Sequence, residues 1–161
     1  MKFLLEDSDT ITIEFVVNPR EKTVREKQEN EELKEGETII KTTWGQISFG
    51  VQNLIEQDSL RTDERGDLRF DPLLYSIAHL KYCLQKWDLD KFSPFLKVER
   101  EKVPQLPSFR RLTESCLNNI MRTPSWLLSP IIRTAMAKLR LEEEAGKELG
   151  KPQEPSTAAE G

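Results

Sequence analysis

Histidine occurs once, cysteine twice and glycine seven times among the 161 residues of this chain, and those shortages narrow its chemistry. A structural zinc site takes four ligands, usually in paired short spacings. Here His79 and Cys83 stand one helical turn apart, with Cys116 as the remaining thiol, so a metal site is a ligand short. The reading preferred is a histidine on a helix surface and two reduced cysteines packed as small apolar groups. One histidine also falls short of the nucleophile, base and orienting group that a Cys–His hydrolase brings together. No glycine-rich phosphate loop of the Walker or dinucleotide type is present, so no cofactor is implied and a non-enzyme is expected. No apolar window reaches the length needed to cross a bilayer. Met1 to Leu5 lack the basic and apolar regions of a signal peptide, and a soluble, cytoplasmic protein without membrane partners is expected.

Charge is plentiful and unevenly placed. The chain carries 24 basic and 28 acidic residues, a net charge of −4. Through Pro72 there are 10 basic and 17 acidic residues, giving −7, and the remainder holds 14 and 11, giving +3. From Lys102 to Arg140 seven cations (Lys102, Arg110, Arg111, Arg122, Arg133, Lys138 and Arg140) face Glu114 alone, a +6 segment. Clustered arginines can neutralise phosphates, but the aromatics do not alternate regularly with them and no nucleic-acid-binding signature appears. A solvated basic face or an acidic protein partner is favoured over nucleic acid. The carboxylates of Glu6, Asp7 and Asp9, and of Asp88 and Asp90, fit turns better than hydrolytic pairs.

Hydrophobic periodicity predicts an α+β fold, with a small N-terminal antiparallel β element, a mainly helical body and a disordered C-terminal tail. Ile11, Ile13 and Phe15 alternate with polar residues as in a half-buried strand, with Lys2 to Leu5 as its expected partner. Asn18-Pro19 ends the strand. Residues 20–36 are almost wholly polar and predict a mobile insertion, after which Ile39-Ile40 adds a β-prone run. The β element thus spans 1–43, the helical body 44–142 as part of one domain, and the tail 143–161. Thr43 is placed as N-cap of a helix from Trp44 to Gln57, 58–71 as a loop, and Asp71-Pro72 as the start of the clearest helix. In it Leu73, Ile77, Leu80, Leu84 and Trp87 step by four and three residues, a candidate partner-binding seam. Asp88 to Pro107 reads as a packed connection and Ser108 as the cap of a helix bearing Phe109, Leu112, Cys116, Leu117 and Ile120. A last helix opens at Thr123-Pro124, with Pro130 expected to break or kink it.

The Thr43-Trp44-Gly45 step, the polar stretch with Asp58 and Asp71, the Trp87-Asp88-Leu89 step and the proline-containing link to Leu106-Pro107 together resemble tail assembly chaperones of long-tailed bacteriophages. The resemblance covers about Ile39 to Ile120. It implies a non-catalytic late protein of the host cytoplasm that binds the tape measure protein, keeps its long helices soluble and helps recruit tail-tube subunits, with self-association into a homo-oligomer also open. Trp44, Trp87, Asp88, Leu89 and Leu106 are the positions matching the family motifs, with structural roles expected. A structural virion component, such as a tail or head-to-tail connector protein, and a nucleic-acid-binding regulator are the alternatives.

Overall fold

The computed structural model describes the backbone over residues 4–150 and the side chains over 4–144. Strand β1 (Thr10–Asn18) turns Ile13, Phe15 and Val17 into the core by the two-residue period of extended chain. Its partners differ from the one predicted: Leu4 and Leu5 lie outside any strand, and Lys2 lies outside the described residues. β1 pairs instead, antiparallel, with β2 (Thr23–Glu26) and β3 (Thr38–Gly45).

Strand β2 falls inside the stretch expected to be a mobile insertion. Asn18 Oδ1 accepts from the amides of Arg20 and Glu21, both at 3.1 Å, and Lys22 takes a left-handed φ of 57°, which turns the chain back so that Val24 meets Val17. Arg25 then holds Glu31 and Glu37 of the following loop. A charged edge strand of this kind derives its order from backbone pairing more than from burial.

Trp44 does not open a helix. It lies in β3 opposite Ile11, 1% exposed, and Thr43 pairs with Lys86 rather than capping. Helix α1 (Phe49–Asp58) begins later, with Ser48 Oγ accepting from the Val51 amide at 3.1 Å. The predicted loop that follows holds a two-stranded ribbon, β4 (Leu60–Thr62) and β5 (Leu68–Phe70), whose turn uses Gly66 at φ 86°. Asp71 caps helix α2 (Pro72–Cys83) as expected, its carboxylate accepting from the amides of Leu73 and Leu74.

Helix α2 is shorter than the seam implies. Leu84 leaves it with ψ 119°, and strand β6 (Leu84–Trp87) pairs with β3 across a bulge between Thr43 and Trp44. The sheet order is β2-β1-β3-β6. Trp87-Asp88-Leu89 therefore closes a strand, not a helix. Two 3-10 turns, Leu89–Lys91 and Pro94–Leu96, follow, and the Trp87 indole N–H donates to the Leu96 carbonyl at 2.7 Å.

The region given to a Ser108-capped helix begins as a hairpin of β7 (Arg100–Val103) and β8 (Leu106–Leu112). Helix α3 (Glu114–Ile120) is capped by Thr113, whose hydroxyl accepts from the Cys116 amide at 3.2 Å. Helix α4 (Ser125–Gly150) runs on through Pro130 unbroken. It carries residues 143–150, expected in the tail, as helix, and 151–161 lie outside the described residues. The chain is α+β, but the body after residue 44 holds five strands beside its four helices among the described residues.

Helix α4 lies over β1 and β2, α2 lies beside β3, and α1 and α4 both touch α2. Phe15, Ile40, Trp44, Leu80, Leu84, Ile131 and Leu139 are fully buried between these layers. One polar relay crosses the core. The Trp44 indole N–H donates to Thr42 Oγ1 at 2.7 Å, and that hydroxyl donates to the Ile13 carbonyl at 2.9 Å, tying β3 to β1 through side chains. Replacing Thr42→Val strands the indole N–H in an apolar site, so a loss of about 1–3 kcal/mol is expected in urea unfolding. Combined with Trp44→Phe, the loss falls short of the sum of the two single changes, because the second removes the orphaned donor. Strict additivity would show that the relay contributes nothing.

Candidate protein-docking groove

The residues that carry chemistry in the sequence are spent on structure. His79, predicted at a helix surface, is 0% exposed. Arg140 Nη2 approaches its Nε2 to 2.8 Å and Tyr75 Oη to 2.6 Å, while Nη1 reaches Gln52 Oε1 at 2.8 Å and Glu143 at 2.7 Å. A guanidinium only donates, so Nε2 is the acceptor and Nδ1 carries the proton, which it gives to the Tyr75 carbonyl at 2.8 Å. Burial, reinforced by the neighbouring Arg140 charge, lowers the His79 pKa to about 4 against the hydrogen bond to Tyr75. The imidazole is thus a neutral acceptor that ties α4 to α2.

Both cysteines are free and buried, as expected. Burial pushes the Cys83 thiol up to about 12, leaving it without thiolate character at neutral pH. Cys116 Sγ accepts from the Glu99 amide and donates to the Lys97 carbonyl. Among the described residues no three His, Cys, Asp or Glu side chains are grouped to hold a metal ion. The acidic residues serve as joints. Asp7 pairs with Arg100 at 3.2 Å, Asp9 accepts from the Glu6 amide, Asp88 accepts from the Lys41 amide of β3 at 2.7 Å, and Asp58 receives Lys81 Nζ and Tyr82 Oη.

The positions matching the family motifs pack in the same way. Trp44, Trp87 and Leu89 are buried, and Asp88 holds the β3 backbone. Leu106 rests on α1 so closely that a methyl group at Gly50 would come within 2.8 Å of its Cδ2. The predicted seam does not form one surface. Leu80 and Leu84 are fully buried, whereas Leu73 is 64% exposed and Ile77 is half-buried. The basic segment is also broken up. Arg111 pairs with Glu101, Lys138 with Glu26 and Arg140 with Glu143, while Arg122 and Arg133 are exposed and have no ion pair among the described residues.

Apolar surface is accessible as well. A groove of about 440 Å³ runs between α2 and α4, with Leu73 and Ile77 on one wall, Leu128, Ile132 and Met136 on the other, and Met121 at one end. Ser125, Ser129 and Arg133 form its polar margin. A second hollow of about 530 Å³, lined by Phe92, Phe95, Leu96, Leu127 and Arg122, lies across the α3–α4 turn and shares Thr123 with the first. No acidic side chain lines either. The four-residue spacing of Leu128, Ile132 and Met136 is visible in the sequence, but it is a helix face only if α4 passes through Pro130.

No family model, curated protein or solved structure matches the chain. No helix among the described residues is long and apolar enough to cross a membrane.

The chain's single histidine makes the α2–α4 tie directly measurable. Its folded pKa lies below the ordinary value of 6.5, at about 4. The unfolded chain therefore takes up the proton first, and stability is full above pH 6.5 and falls as pH drops toward 4. The expected contribution lost is about 3 kcal/mol. Proton NMR titration of the one imidazole should give a midpoint near 4, and urea midpoints should fall over the same window. A midpoint near 6.5 would remove the buried tie.

Proposed function

We propose that the chain is a non-catalytic protein-binding factor that shelters an apolar helical stretch of a client in the α2–α4 groove. The observation that carries this reading is the groove itself. It is an open apolar trough with two methionines in its lining, in a chain whose histidine, thiols and family-motif positions are occupied by internal contacts. Methionine's unbranched, polarisable side chain adapts to different apolar surfaces, and a helix laid in such a trough buries its apolar face while its outer face stays hydrated. That is the physical task of an assembly chaperone. With the tail-assembly-chaperone resemblance, the client proposed is a phage tape measure protein, with tail-tube subunits recruited to the complex.

Co-expression with the proteins encoded by neighbouring genes, including any long heptad-rich one, tests this. The wild-type chain should retain such a client through affinity purification. Leu73→Glu and Met136→Glu, placed on opposite walls of the groove, should reduce retention at least tenfold while circular dichroism and thermal unfolding stay close to wild type. Equal retention by both variants, or a wild-type chain recovered alone from every pairing, would contradict the proposal.

A further inference from the structure

The charge around the groove narrows the kind of helix that fits it. Leu128, Ile132 and Met136 form one four-residue row of α4, and Ser125, Ser129 and Arg133 form the adjacent row. The first row is the groove's apolar α4 wall. The second begins with two small hydroxyl side chains, which leave room for a backbone to come close, and ends in a cation. Arg122, between Met121 and Thr123 in the sequence, lines the adjoining hollow that shares Thr123 with the groove. Both arginines are exposed and lack an ion pair among the described residues, and no carboxylate lines the groove to answer them.

We infer that the α2–α4 groove takes one amphipathic helix of a partner protein, with its apolar stripe on Leu128, Ile132 and Met136 and acidic residues on the flank facing Arg133 and Arg122. The inference rests on the docking reading above and adds the partner's charge. From Ser125 to Met136 the wall is about 16 Å long at helical rise, enough for about three turns of the partner. A lysine-flanked helix would meet two unneutralised cations with no compensating acid, and such like-charge contacts discriminate against wrong partners. A second copy of this chain is the rival occupant.

Two synthetic helical peptides with the same apolar stripe, one flanked by glutamate and one by lysine, test this by fluorescence anisotropy with the full chain. The glutamate peptide should bind at least tenfold more tightly at low salt, and the gap should narrow at high salt as screening grows. An Arg122→Glu/Arg133→Glu variant should abolish or reverse the preference, and Leu73→Glu should weaken both peptides. Equal affinity for both peptides, with loss in Leu73→Glu, would overturn the acidic-partner inference while leaving the docking reading standing. Binding of neither peptide by a chain that still retains a client would overturn it too. Sedimentation showing a dimer that dissociates on Met136→Glu would assign the groove to self-association and overturn it as well. Failure to retain any client in co-expression strikes the docking reading itself.

Discussion

The placement of α4 depends on one part-buried charge, the guanidinium of Arg140. Arg140 is held against the fold by a neutral imidazole, a phenol, an amide oxygen and a carboxylate, and three of those partners come from α1 and α2. Sliding α4 along α2 would break the contacts to His79, Tyr75 and Gln52 together and leave the buried imidazole nitrogen without a donor, so α4 has little freedom to slide. That restriction fixes the spacing between the helices and with it the width of the groove. It also requires His79 to remain uncharged, since an imidazolium would set two cations against each other at 2.8 Å.

Other polar contacts have the same character. The Trp44–Thr42–Ile13 relay ties two central strands, Trp87 anchors the first irregular connection through Leu96, and Asp88 joins that connection back to β3. The two indole contacts satisfy donors that burial would otherwise leave unpaired, while the Asp88 contact is exposed. With those groups engaged, the accessible chemistry of the α2–α4 face is apolar wall, serine margin and free arginine. That is the surface on which the proposed helix docking draws.

Legibility in the sequence followed the length of each pattern. Strand β1 alternates in sequence from Ile11 to Phe15, and the Asp71-Pro72 cap is unambiguous because proline fits the first helical turn. Strand β2, four residues in charged surroundings, has no pattern long enough to read and depends on pairing with β1. The Leu80-Leu84-Trp87 spacing misled because Leu84 and Trp87, on either side of a bulged register, also face the core from a strand. Leu112, Cys116 and Ile120 share one buried stripe, but it begins in β8 and continues in α3. Two of the candidate seam positions, Leu73 and Ile77, line the groove. The other wall lay hidden behind Pro130, whose usual cost in a helix interior argued against the continuous face that α4 presents.

A partner helix seated between α2 and α4 would lie against the groove's methionines, which can be watched one by one. Carbon-13 methyl labelling gives well-resolved signals from Met121 and Met136, which line the groove. Saturating the chain with the glutamate-flanked helical peptide should shift both methyl resonances while leaving the imidazole signal of the buried His79 in place. Unmoved methionine methyls in the presence of bound peptide would contradict the account.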